Sequence, residues 1–247
     1  MDYSHLRAFR DALSKAPHLM DLKSICRDFC SATGMPHYMF AVCEAVSLTS
    51  PRLITVTNFP TEWVDHYLQR RASSVNPILQ YSFSNTAPIL WSELEHLPAA
   101  QGGAGEGKAF IERGRAHGLH RGLTVPLSPP SGQTAFFCLA SSDLTLDDDR
   151  LGNLLPAAGI FSNYLFDAYI RIDKIDNPKV NELTERELEC VFWACEGKTA
   201  WEMAQIVGVA ERTINFHLTS VIKKLGASNR QHAVAKAVMY GLVKPRA

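Results

Sequence analysis

Trp63 and Tyr67 stand four residues apart, with Phe59 just before them and Trp91 downstream. On a helix that spacing puts both rings on one face. An indole N–H and a phenol O–H at the rim of an aromatic wall can donate to carbonyls while the rings pack against hydrocarbon. That is chemistry for holding a small amphipathic molecule. The same four residues also suit an ordinary aromatic core, and spacing alone favours the core. A second group lies near the carboxy terminus. Ile214, Leu218, Val221 and Leu225 recur at steps of four, three and four, so one face of a helix from about 210 to 225 is apolar. The other face carries Glu211, Arg212, Thr213, Asn215, His217, Thr219 and Ser220. These supply donors and acceptors for base edges and phosphates.

Other combinations carry less. Cys138 with His117 or His120 could serve as nucleophile and base, but no third orienting group accompanies them and Cys138 falls mid-strand among Phe and Leu. No catalytic residues are assigned, and the chain is not expected to be an enzyme. Cys26, Cys30 and His37 could ligate a metal, yet they read more simply as one helix face turned to a core. No metal and no cofactor are expected. The six cysteines form no paired CxxC motif, which points to free thiols. The run GGAGEG at 102–107 lacks the Lys-Ser/Thr of a phosphate loop and reads as a flexible connection. A receiver domain would need an acidic cluster at early strand ends, and residues 1–60 show none.

The elements that must position these groups divide the chain in two. Thr184 with Glu187, Thr199 with Glu202 and Ser228 with Gln231 have capping-box spacing and mark three helix starts, while Gly197 and Gly208 end the first two helices. Residues 183–247 hold nine basic and six acidic residues, and 213–247 hold six basic and none acidic. A net charge of zero over all 247 residues conceals this surplus, which suits a polyanion-binding end. Upstream, helices are expected at about 3–15, 20–33, from Pro60, and at 106–117, with strands at 38–46, 52–58, 121–127 and 133–141. The last strand is apolar on both faces, so both must be covered. A long helix over 146–171, capped by Thr145 and Asp148, covers one side, which gives an α/β/α sandwich. Residues 172–182, IDKIDNPKVNE, read as an exposed linker. The expected class is α+β: a ligand-binding sandwich over 1–171, a linker over 172–182 and a four-helix helix-turn-helix domain over 183–247. No apolar run approaches the ~20 residues that span a bilayer, so a soluble cytoplasmic protein without a membrane partner is expected.

The stretches LTERELE, EGKTAWEMAQIVGVAERTINFH and VIKKLGASNRQHAVAKA resemble the LuxR-type DNA-binding domain over about 60 residues. The likeness implies that Thr213, Asn215 and His217 lie on the helix that enters the major groove, with Lys223, Lys224 and Arg230 near phosphates. It also implies a homodimer joined through the last helix and a palindromic site on double-stranded DNA. The pattern W-x3-Y, then NP, then W is similar to the acyl-homoserine-lactone-binding domain of the same quorum-sensing regulators. By that likeness Trp63 donates to the lactone carbonyl, Tyr67 to the acyl-amide carbonyl, and Trp91 stacks on the lactone ring. Met39 lines the acyl tunnel, Phe59 occupies a position often held by Tyr, and Gly122 precedes the strand TVPL. Two residues depart from the pattern. Asn76 replaces an Asp that accepts the ligand amide, a loss near ~1 kcal/mol or roughly five- to tenfold in affinity. Cys138 replaces a Ser or Thr with a weaker partner. The expectation is an autoinducer pocket that binds its lactone differently, with a regulator answering a non-lactone signal, or none, as the alternative.

Overall fold

The computed structural model describes residues 2–44, 52–69, 76–98, 106–128, 133–176 and 183–243. They form two units that separate between Ile172 and Asp173 along the chain.

The first unit is built on a five-stranded antiparallel sheet of β1 (His37–Glu44), β2 (Arg52–Thr57), β3 (Ile89–Leu90), β4 (Arg121–Leu127) and β5 (Thr134–Ser141), in the order β2-β1-β5-β4-β3. Side chains alternate across a strand, so each strand feeds two cores. Tyr38, Phe40 and Val42 of β1, with Ala135, Phe137 and Leu139 of β5, belong to one core. There they meet α1 (Tyr3–Lys15), α2 (Leu19–Thr33) and the long α8 (Leu155–Asp176). Phe29 of α2 stacks on Phe161 of α8 at 3.9 Å, and Phe9 meets both edge-on. Met39, Ala41 and Cys43 of β1, with Phe136, Cys138 and Ala140 of β5, face the opposite core. Covering that side are α3 (Thr61–Gln69), α4 (Pro77–Ser84), the single turn α5 (Trp91–Leu94) and α6 (Glu106–Ala116). The α/β/α sandwich is therefore as expected.

Three expectations need correction. The helix over 146–171 is two helices, α7 (Asp148–Gly152) and α8, and the cap of the first is Asp147, whose carboxylate accepts from Arg150 N. Pro156 explains the break: it has no N–H to return to the carbonyl four residues back and is accommodated only in a first turn. Helix α8 also continues to Asp176, and Ile172 is fully buried, so the first residues read as linker are helical. Residues 177–182 of that stretch, like the 102–105 part of the Gly-rich run, lie outside the described residues.

The second unit holds α9 (Glu185–Cys195), α10 (Ala200–Val207), α11 (Glu211–Lys224) and α12 (Arg230–Met239). The boxes Thr184/Glu187 and Thr199/Glu202 form as predicted, and Gly197 and Gly208 take φ of 76° and 74° past their helices. The third correction is at α12, where the cap is Asn229, bonding His232 N, while Ser228 pairs with the His232 ring. Ile214, Leu218 and Val221 of α11 are buried against the other three helices. Among the described residues no helix is long and apolar enough to cross a membrane.

Candidate functional site

Phe59, Trp63 and Trp91, three of the four aromatic residues singled out by spacing, converge on the second core of the sandwich. Trp63 of α3 is 4% exposed and meets Phe59 and Phe110 of α6 edge-on, each with ring centroids 5.5 Å apart. Helix α6 passes beside the indole at Gly114, where a Cβ would lie at an ordinary contact distance of 3.6 Å from Trp63 Nε1. Trp91 opens α5, and its indole N–H donates to Thr124 Oγ1 at 2.9 Å. The same hydroxyl lies 3.2 Å from Cys138 Sγ. Register explains the chain of contacts, since Thr57, Met39, Cys138, Thr124 and Ile89 are successive partners across the five strands. The Trp91 ring also lies over Gly122. A Cβ there would stand 2.5 Å from the Leu139 carbonyl oxygen and 2.9 Å from a ring carbon, so a larger residue does not fit.

Between Trp63, Trp91, Ile78, Phe110 and Leu119 runs a cavity with about 30 Å³ of free space, room for roughly two water molecules. Glu95, Arg115 and His120 are the polar members of its lining. A drug-sized ligand needs ~300 Å³ or more, so a larger occupant must part the aromatic contacts.

The remaining expected ligand residues are placed as follows. Met39 and Cys138 are buried in the same core as Phe59 and Trp63. Tyr67 belongs to α3, but its side chain lies outside the described atoms. Asn76 is fully buried, and its side-chain carbonyl accepts from Ile78 N at 3.0 Å and Leu79 N at 3.3 Å, capping α4 ahead of Pro77. That oxygen serves the fold before it serves a ligand. Burial pushes the Cys138 thiol up to about 12 against the opposing Thr124 hydrogen bond, so no thiolate is available for nucleophilic work. His117 spends its Nδ1 on the Arg113 carbonyl. Among the described residues no group of three His, Cys, Asp or Glu is placed to hold a metal. Sequence reasoning missed Thr124, although a lone hydroxyl inside the buried strand RGLTVPL was a signal.

In the second unit, Arg212, Asn215, Thr219 and Lys223 are exposed on α11, and Thr213 and His217 are half-buried. At 100° per residue the point opposite the buried stripe is Phe216, flanked by Arg212 one turn back and Lys223 two turns on. Phe216 is 70% exposed and was also missed. The signal was its place off the stripe in the ILE-to-LEU pattern of Ile214 and Leu218. Lys224 and Arg230, expected near phosphates, have partners inside the unit. Lys224 Nζ pairs with Glu187 at 2.8 Å, and the Arg230 guanidinium donates to the Lys198 carbonyl. Glu187 is 3% exposed and also accepts from Ser220 Oγ at 2.6 Å and from Thr184 N. Burial alone would raise its pKa, but these hydrogen bonds outweigh it and hold the carboxyl down to about 2.

Two family descriptions match the chain: an autoinducer binding domain over residues 19–169, and the luxR family of bacterial regulatory proteins over 181–237. The transcriptional activator AhyR of Aeromonas hydrophila is 34% identical over 234 residues, covering 88% of this chain and 84% of its own. LuxR of Aliivibrio fischeri is 28% identical, covering 90% and 88%. SdiA of Escherichia coli has the same fold, with a TM-score of 0.83 at 23% identity over 98% of this chain and 99% of its own. A structure of SdiA in complex with octanoyl-rac-glycerol aligns with a TM-score of 0.81 at 23% identity, over 99% and 98% of the two chains. With an aromatic cavity in one unit and a helix bearing a polar exposed face in the other, the chain belongs to the LuxR family of transcriptional regulators, joining an autoinducer-binding domain to a helix-turn-helix DNA-binding domain.

Proposed function

We propose that the protein is a cytoplasmic quorum-sensing regulator that takes an N-acyl-homoserine lactone or a related acyl compound into the cavity of its first domain, residues 1–171. As a homodimer it would then bind a palindromic promoter site through residues 183–247. The observation that carries this reading is the cavity walled by Trp63, Trp91 and Phe110, with the Trp91 indole held by Thr124 of β4. Aromatic walls around a few directed donors suit an acyl chain with a carbonyl-bearing head. Trp63 and Tyr67 are the proposed carbonyl donors, Trp91 the ring platform, and Phe59 and Met39 the apolar lining. Arg212, Thr213, Asn215, His217 and Phe216 would face base edges, and Lys223 a phosphate. Lys224 and Arg230 would reach a phosphate with the N–H groups that their partners in the unit leave over. Val238 of α12, 54% exposed, supports a dimer contact on that helix.

A second reading, a neutral non-lactone acyl signal, is favoured by Asn76. Its carbonyl caps α4 and offers a ligand amide less than a free carboxylate would. Thermal unfolding of the full chain against acyl-homoserine lactones of graded length, and against octanoyl-glycerol, tests both. A ligand that binds only the folded state raises the midpoint. A rise that depends on tail length with lactones supports the first reading, and a rise with octanoyl-glycerol alone supports the second. No rise with either overturns small-acyl sensing.

A further inference from the structure

Beside the aromatic cavity lies a wider polar cleft of about 350 Å³, the size of a metabolite site. Its lining includes Ser92, Glu95, Arg115, His120, Arg121 and Asp148. Glu95, Arg115 and His120 also line the aromatic cavity, so the two spaces share a wall. Gly122 on the cleft side and the Trp91 ring on the cavity side form another part of that partition.

We infer that this cleft binds an oxyanion, a phosphate or carboxylate group, through Arg121, Arg115, His120 and Ser92. Two guanidinium groups line one concave surface, and guanidinium presents a planar fork of donors matched to oxyanions. Arg121 reaches Asp148 only at 3.8 Å, with both side chains well exposed, a pairing weak enough to leave its donors to a better acceptor. Arg115 is held at 2.5 Å from Glu95, which fixes one of its nitrogens at the shared wall and leaves the rest of the fork for a second anion. Ser92 Oγ is shielded from solvent and has no hydrogen-bond partner among the described residues. Because Ser92 lines the cleft, rotation of its hydroxyl toward that space would give it the acceptor it lacks. The carboxylates do not turn the cleft into a cation site, because no three potential metal ligands converge there among the described residues.

The oxyanion has two possible sources: a free anion, or the head group of an acyl signal whose tail fills the aromatic cavity. The second source rests on the reading of that cavity given above. Thermal unfolding of the full chain in graded inorganic phosphate, with chloride at matched ionic strength as control, tests the site. The expected result is a saturable rise with phosphate that needs at least tenfold more phosphate in Arg121→Gln and in Ser92→Ala. A second series compares octanoyl-glycerol with octanoyl-glycerol 3-phosphate. Tighter binding of the phosphorylated compound, lost in Arg121→Gln, identifies the signal's own head as the source, whereas additive rises from free phosphate and octanoyl-glycerol identify a separate anion. A phosphate rise without any acyl response keeps the cleft and overturns the cavity reading. The assignment is overturned if neither phosphate nor the phosphorylated compound shows binding that depends on Arg121 and Ser92, including a phosphate rise that survives both substitutions.

Discussion

Gly122 under the Trp91 ring and Gly114 beside the Trp63 ring meet opposite constraints, and substitution separates them. At Gly122 a Cβ would stand 2.5 Å from a backbone oxygen and 2.9 Å from the Trp91 ring, so Gly122→Ala must move a strand or the indole. We expect a loss of about 2 kcal/mol by chemical denaturation, together with loss of any ligand response. Gly114 sits in α6 with its nearest contact at an ordinary 3.6 Å. Gly114→Ala should be tolerated, or stabilise by about 0.5–1 kcal/mol through helix propensity. On α11 the informative contrast is between adjacent lysines. Lys223 is exposed, whereas Lys224 is paired with Glu187. Lys223→Ala should lower the salt dependence of DNA binding by about one unit of slope at little loss of stability. Lys224→Ala should instead lower the unfolding midpoint, since Glu187 would lose its cation. Phe216→Ala, at a side chain 70% exposed, should change stability by less than about 0.5 kcal/mol. Its operator affinity should fall about tenfold, as expected for an apolar contact with a thymine methyl; unchanged affinity in a binding titration would remove Phe216 from the interface.

Helix α9 is tied to α11 by one carboxylate. Glu187 closes its own capping box and accepts from Ser220 and Lys224 across the unit. Because the folded state holds its pKa down to about 2, the folded form binds the proton less readily than the unfolded chain. Its stabilisation is therefore complete above the ordinary glutamate range and is lost as pH falls from about 4.5 toward 2. The stability difference between the wild type and Glu187→Gln should shrink over that window, and a difference constant with pH would refute the coupling. Helix α11 begins at Ala210 with no side-chain cap, so Ala210→Ser should add about 1 kcal/mol. These elements show what the sequence could disclose. The boxes at Thr184 and Thr199 were legible because each is closed within three residues. Ser228 misled because Asn229, one place on, offers the same chemistry with a longer reach to His232 N. Pro156 was present in the sequence, yet the amphipathic run across it outweighed the one missing N–H. The bond between Glu187 and Lys224 spans 37 residues, and the Trp91–Thr124–Cys138 chain depends on strand register. Neither has a local signature, so Trp63 and Trp91 could be named from the sequence, but Phe110 and the partners of the indoles could not.

The aromatic cavity and α11 belong to different units, so regulation requires a free energy that couples them. Such coupling is reciprocal: if an acyl signal raises operator affinity by some factor, operator DNA must raise signal affinity by the same factor, typically about 5 to 150. The cavity's 30 Å³ would give the proposed signal its leverage, because seating an acyl chain there would part the contacts of Trp63 with Phe59 and Phe110. A dimer is the proposed carrier, since two heads on adjacent half-sites bind as one body only when the protomers associate. Val238→Asp on α12 places a charge at an exposed apolar position and should spare the folded monomer, as read by its unfolding midpoint. It should abolish cooperative binding to a palindrome while leaving weak half-site binding. Fluorescence anisotropy of operator DNA, with and without a saturating acyl compound, reads both effects in one titration. Equal ligand-induced gains in wild type and Val238→Asp would separate signal coupling from the α12 contact and direct the search for a dimer surface elsewhere on the chain.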